Sequence, residues 1–168
     1  MRMSQPSLKP PAFESKVCSM DSSTLNQRLL ALNRPMVFTN GVFDILHRGH
    51  ASYLAQARDF GASLVVGVNS DVSVKLLGKG VDRPINSQED RMALLAALES
   101  VDLVILFENK TPVELIKRVR PDVYVKGGDY AIETLEETEV IKAWGGQAYA
   151  IPFIYDRSTT SLLGKIRS

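Results

Sequence analysis

Apolar positions along this chain follow two alternating rhythms. Short runs of β-branched and aliphatic residues, such as Leu64-Val65-Val66 and Leu103-Val104-Ile105-Leu106, recur between longer stretches in which apolar residues return every three or four positions. The first helical pattern opens at a cap-like Ser22 or Ser23, carries Leu25, Leu29, Leu30 and Leu32, and ends near Asn33. Strands are expected over 36–39, 63–68, 101–107, 122–125 and 148–153. Helices are expected over 49–60, stopped by Gly61, and from Ser87, which with Asp90 resembles a capping box and leads into Met92, Leu94, Leu95 and Leu98. Two more run from Pro112 to about Val119, capped by Thr111, and over 133–144, ended by Gly145 and Gly146; a last short helix starts within 158–161. Residues 75–86, charged and glycine-containing, read as a loop.

Strands that are apolar almost throughout and flanked by helices imply a parallel sheet covered on both faces. Right-handed crossovers make this a doubly wound, Rossmann-like α/β sandwich with a five-stranded sheet. At 168 residues and 18.5 kDa the chain suits a single domain. Residues 1–20 lack either rhythm and read as a flexible N-terminal leader, leaving 21–168 as the folded part.

Composition narrows the function. Twenty Lys and Arg against 19 Asp and Glu leave a net charge of +1, which gives no support for a broad nucleic-acid-binding or membrane-binding surface, although a local anion site stays open. A single cysteine, Cys18, excludes a disulfide framework and a zinc site built on several thiolates, and fits a reducing cytoplasm. No apolar run approaches the roughly 20 residues that cross a bilayer.

In a doubly wound sheet, ligands bind outside the carboxyl ends of the strands, so the loops that follow each strand carry the chemistry. The first, from Thr39 to His50, holds both histidines of the chain, His47 and His50, three apart at a helix start. That spacing places both imidazoles on one helix face, beside free backbone N–H groups and the positive end of the helix dipole, which makes an anion site. Gly41 and Gly49 would let a phosphate approach the backbone. A zinc pair would need a third ligand, and the chain has no other His and only the remote Cys18; simple capping by the histidines is the structural alternative. After the second strand, Lys75, Lys79 and Arg83 are candidate clamps for phosphate oxygens, Lys75 and Arg83 ahead of Lys79. Arg91 reads as a helix-surface arginine paired with Asp90 or Glu89. The loop Lys126-Gly127-Gly128-Asp129-Tyr130 reads as a sharp turn or a close ligand contact. The run Ser158-Thr159-Thr160-Ser161 is a hydroxyl-rich helix start.

The segment Asn40-Gly41-Val42-Phe43-Asp44, followed by His47-Arg48-Gly49-His50, resembles the HxGH signature of the nucleotidyltransferase superfamily. The resemblance extends from about Pro35 to Ile166, and with Val68 to Val74, Arg83 to Asn86, Arg91 to Leu98, Pro121 to Tyr130 and Ser158 to Thr160 it is similar to the adenylyltransferases of ADP-heptose synthesis. Phosphopantetheine adenylyltransferases usually carry Thr in place of His47. Glycerol-phosphate cytidylyltransferases end in a motif that residues 155–160 echo only in part.

The resemblance implies transfer of AMP from ATP to D-glycero-β-D-manno-heptose 1-phosphate, with pyrophosphate released, for the lipopolysaccharide inner core. His47, His50 and Lys75 would be catalytic. Asn40, Gly41, Phe43, Gly49, His50, Gly127, Gly128, Asp129, Ser158, Thr159 and Thr160 would hold ATP. Asp44, Lys75, Lys79, Arg83 and Lys126 would hold the sugar phosphate, Asp44 by binding substrate hydroxyls or helping to orient the site, although a carboxylate just before the helix could equally be a local cap. By the same resemblance Arg91 would stand near the phosphates. Magnesium would accompany the triphosphate, family members are commonly homodimers, and a separate kinase would supply the sugar phosphate. Two departures stand out: Arg157 occupies a position where a small residue is usual, and the chain is too short to include the fused sugar kinase that often accompanies this activity. A cytidylyltransferase acting on a small polyol phosphate and a non-catalytic nucleotide-binding module are the alternatives.

Overall fold

Period-two alternation sends successive strand side chains to opposite faces of one parallel sheet. The structure, a computed structural model, describes residues 9–78, 80, 82–128, 131–155 and 159–167. After a 3-10 turn at Ala12–Lys16 come β1 (Val17–Ser19), α1 (Leu25–Leu30), β2 (Met36–Gly41), α2 (Arg48–Arg58), β3 (Ser63–Asn69), α3 (Asp71–Leu76), α4 (Gln88–Ala96) and β4 (Leu103–Phe107). Then follow α5 (Val113–Val119), β5 (Val123–Gly127), a 3-10 turn at Ile132–Thr134, α6 (Glu136–Lys142), β6 (Gln147–Ile151) and α7 (Thr159–Arg167).

The strands form one sheet in the order β1-β4-β3-β2-β5-β6, with every pair parallel. On one face, Val37, Leu64, Val66 and Val104 pack against Tyr53, Leu54 and Ala57 of α2 and Met92, Leu95 and Ala96 of α4. On the other, Phe38, Val65, Leu103 and Ile105 pack against Leu25 and Leu29 of α1, Leu115 and Ile116 of α5, and Ile141 of α6. The doubly wound sandwich expected from the strand pattern is therefore present, with six strands instead of five.

The additional strand comes from the segment read as leader. Val17, Cys18 and Ser19 lie in register with Val104, Ile105 and Leu106, and Phe13 and Val17 pack against the core. The Lys16 ammonium donates to the carbonyls of Val101 at 2.8 Å and Leu98 at 3.5 Å. Residues 12–19 thus belong to the fold, which corrects the boundary at 20; residues 1–8 lie outside the described residues. A three-residue edge strand is too short to carry a periodicity, so its signal was absent from the pattern.

Three helix readings change as well. Lys75 lies on α3 and not in a loop, because Ser70 caps that helix by accepting from the Ser73 amide at 3.1 Å. The stretch expected as one helix over 133–144 divides into the turn at 132–134 and α6, where the Thr138 hydroxyl donates to the Ile132 carbonyl. Thr111 does not cap α5, whose N-cap is Pro112 and has no side-chain cap. The Ser87 cap stands as expected, accepting from the Asp90 amide at 3.2 Å.

Strand order reverses at β2: β3 and β4 lie to one side, and β5 and β6 to the other. The paired register of β2 and β5 covers Val37 with Val123 and Phe38 with Tyr124, although both strands continue beyond it. At this switch point a crevice is expected.

Candidate active site

That crevice is a cleft of about 530 Å³ at the carboxyl ends of β2 and β5, within the usual range for small-molecule sites. Its floor begins where β2 ends. Phe43 adopts a left-handed backbone (φ 51°), a conformation that costs a non-glycine residue about 1–3 kcal/mol and is concentrated at functional sites. The turn swings its ring back over Gly41, where a Cβ would lie 3.0 Å from the ring, and presents it edge-on to His50 at 5.3 Å.

His47 is the N-cap of α2, and its ring stacks on that of His50 with centroids 3.8 Å apart and 22° between planes. Gly49 makes this possible, since a Cβ there would stand 2.9 Å from His47 Cε1. The space at Gly41 and Gly49, expected to admit a phosphate, is in fact taken by the Phe43 and His47 rings. Burial, and then the neighbouring His47, lower the His50 pKa to about 4, while a hydrogen bond with the Ile45 backbone opposes the shift. At neutral pH the His50 imidazole is therefore neutral. The first turn of α2 holds no acidic residue and its N-cap makes no side-chain cap, so its backbone N–H dipoles favour an anion.

Asp44, with its side chain fully buried, organises one wall. Its carboxylate pairs with Arg83 Nε and accepts the backbone N–H groups of Ile85 at 2.8 Å and Asn86 at 3.0 Å. Asn86 Nδ2 returns a bond to the Asp44 carbonyl at 2.6 Å. Of the roles expected for Asp44, meeting substrate hydroxyls, orienting the site or capping locally, these bonds fit the orienting one, with Arg83 paired to it in the cleft lining.

The opposite wall comes from late in the chain. Lys126 and Gly127 end β5, Phe153 follows β6, and Thr159 and Thr160 open α7. Gly127 has no Cβ because one would lie 2.9 Å from the Phe153 ring and 3.0 Å from Tyr53. Tyr53 shares a hydrogen bond with the Thr39 hydroxyl and donates to the Val125 carbonyl at 3.0 Å, so it bridges β2 and β5 where they part. The Arg48 guanidinium lies 3.8 Å from the Tyr155 ring centre and donates to its hydroxyl, which ties the histidine helix to the segment ahead of α7.

Of the residues expected to form the site, the structure brings together Asn40, Gly41, Phe43, Asp44, His47, His50, Arg83, Lys126, Gly127, Thr159 and Thr160. Gly49 sits behind His47. Lys75 does not join them: it is exposed in the last turn of α3 and outside the cleft lining. Gly128 also stands outside the lining, and its N–H is engaged by the Ile151 carbonyl at 2.8 Å. Arg91 takes neither expected position. It is fully buried and bonded to backbone carbonyls and Asp71 instead of to phosphate, Asp90 or Glu89. Lys79, Asp129 and Ser158 lie outside the described residues. Tyr53 and Phe153 line the cleft without having been singled out from sequence. Tyr53 carried a usable signal, since it follows His50 by three positions and so shares its helix face.

A parallel switch-point cleft with paired imidazoles at a helix N-terminus is the arrangement expected of a nucleotidyltransferase. The chain belongs to the cytidylyltransferase-like family, whose sequence pattern matches residues 38–154. It is 60% identical, over 92% of its own length and 96% of the relative's, to the D-beta-D-heptose 1-phosphate adenylyltransferase of Bordetella bronchiseptica. It is also 50% identical to the bifunctional protein HldE of Pseudomonas aeruginosa, over 85% of this chain but only 31% of that longer protein. Among solved structures, a lipopolysaccharide core biosynthesis protein from Thermoplasma volcanium matches with a TM-score of 0.60 at 33% identity, covering 72% of this chain and 98% of that one. Pantothenate synthetase from Thermus thermophilus shares the fold, with a TM-score of 0.53 at 20% identity over 82% of this chain and 61% of the synthetase.

Proposed function

We propose that the protein transfers AMP from ATP to D-glycero-β-D-manno-heptose 1-phosphate, giving ADP-D-glycero-β-D-manno-heptose and pyrophosphate. The observation that carries this reading is the stacked imidazole pair at the N-terminus of α2, facing a cleft that also receives Arg83 and Lys126. The nature of the acceptor is supported by the 60% identity to a heptose 1-phosphate adenylyltransferase along nearly the whole of both chains.

In the reaction an oxygen of the sugar phosphate attacks the α-phosphorus of ATP. The new P–O bond forms as the bond to the β-phosphate oxygen breaks, and that electron pair leaves with pyrophosphate. A sugar phosphate is already largely anionic near neutral pH, so no general base is required. The imidazoles of His47 and His50 would donate to phosphate oxygens as negative charge gathers on them, and the α2 dipole acts in the same direction. Arg83 and Lys126 would hold phosphate groups of acceptor and triphosphate, and the Thr159 and Thr160 hydroxyls would add hydrogen bonds.

Magnesium is expected to arrive with the triphosphate and to offset charge on the leaving group. Among the described residues no three His, Cys, Asp or Glu side chains converge to hold a metal. A homodimer and a separate sugar kinase upstream complete the reading, and among the described residues no helix is long and apolar enough to cross a membrane.

The test is a panel of ATP and CTP, each with heptose 1-phosphate, glycerol 3-phosphate or no acceptor, followed by pyrophosphate release. Turnover should be confined to ATP with the heptose phosphate. Preferred use of CTP or glycerol phosphate would reassign the substrate, and silence throughout would leave a binding module.

A further inference from the structure

Arg91 heads the largest side chains that are fully buried, yet no step of the proposed reaction uses it. Its guanidinium donates from Nη1 to the Val42 carbonyl at 2.6 Å, and from Nη2 to the Asn69 carbonyl at 2.8 Å and the Asp71 carboxylate at 2.7 Å. Its Nε donates to the Asn86 carbonyl at 3.2 Å. These acceptors lie on three separate segments: the loop after β2 that leads to the histidines, the end of β3 with the start of α3, and the stretch 83–86 on the cleft wall.

A buried guanidinium is unfavourable unless its donors are met, and an apolar residue would fill the same space without that cost. What an apolar residue cannot do is fix three backbone segments relative to one another. The chain of contacts continues from Arg91 to the Asn86 carbonyl, from the Asn86 amide to Asp44, and from Asp44 to Arg83 in the cleft. Lysine cannot replace this arrangement, because a single ammonium on a flexible stem cannot reach four acceptors spread around a planar fork.

We propose that Arg91 is a positioning residue that sets where Arg83 stands in the cleft, and thereby how tightly the site holds phosphate groups. The inference rests on the phosphoryl-transfer reading of the cleft and deepens it.

The experiment is a double-mutant cycle on the full chain with inorganic pyrophosphate as the probe, using wild type, Arg91→Lys, Arg83→Ala and the double variant. Pyrophosphate affinity is measured by calorimetry and kcat/KM by pyrophosphate release. Each single variant should weaken pyrophosphate binding about tenfold, and the double variant should fall within about twofold of Arg83→Ala alone, since Arg91 acts through Arg83. Losses that multiply, an unchanged affinity in either single variant, or a wild type that does not bind the probe would overturn the proposal. Should Arg91→Lys fail to fold, Asp71→Asn takes its place, because Asp71 is the carboxylate paired with Arg91 and its side chain is 37% exposed. Its effect should be about threefold and should vanish in the Arg83→Ala background, multiplication again overturning the proposal. A protein that shows this binding pattern but releases no pyrophosphate from ATP and heptose 1-phosphate would refute the adenylyltransferase reading and leave the role of Arg91 intact.

Discussion

Burial, and then the His47 ring stacked 3.8 Å away, push the His50 pKa down to about 4. A bound triphosphate reverses both effects by placing negative charge against the rings. ATP binding near pH 6 should therefore be accompanied by proton uptake, visible as a binding enthalpy that depends on the ionisation enthalpy of the buffer; buffer-independent heats would contradict this. The same shift has a stability consequence. Between about pH 6.5 and 4 the unfolded chain binds a proton at His50 that the folded chain does not, so stability is complete above 6.5 and declines as pH falls toward 4. Gly49 supports the pair sterically. Gly49→Ala should push the His47 ring aside and lower kcat about tenfold or more while thermal stability stays close to wild type, since the group that must shift is a side chain. At this scale the histidines were legible because both fall three apart at a helix start. Arg91 was not, because its partners Val42 and Asn69 lie 49 and 22 positions away and only folding brings them to it.

The elements that determine the sheet interior were readable from apolar runs: β3 is buried along its whole length and β4 nearly so. Those that escaped were short. β1 spans three residues and α3 six, so neither completes enough periods to stand out from loop composition. The contacts of β1 give it a measurable role. Removing residues 1–19 would strip the edge strand, the Lys16 bonds and the Phe13 and Val17 packing, and should lower the melting temperature by about 10 °C, from a loss on the order of 2–4 kcal/mol. An unchanged melting temperature, followed by circular dichroism, would show that this segment contributes nothing to the fold.

At the scale of the molecule, the cleft exists because strand order reverses between β3 and β5, and sequence alone announced that some strand-end loops would converge there. Which side chains meet was harder to read. Phe153 and Lys126 join His47 and His50 in the cleft lining from positions more than 70 residues further on, and Lys75, close to the site in sequence, is carried away by α3. The whole account turns on direct transfer at the imidazole pair. Its most direct test is rapid-quench measurement of pyrophosphate formed from ATP, with and without heptose 1-phosphate, in wild type and His50→Ala. The account predicts no burst without acceptor, turnover with it, and a loss of about 10²-fold to 10³-fold in the variant. A stoichiometric burst from ATP alone, or wild-type turnover in His50→Ala, would contradict it.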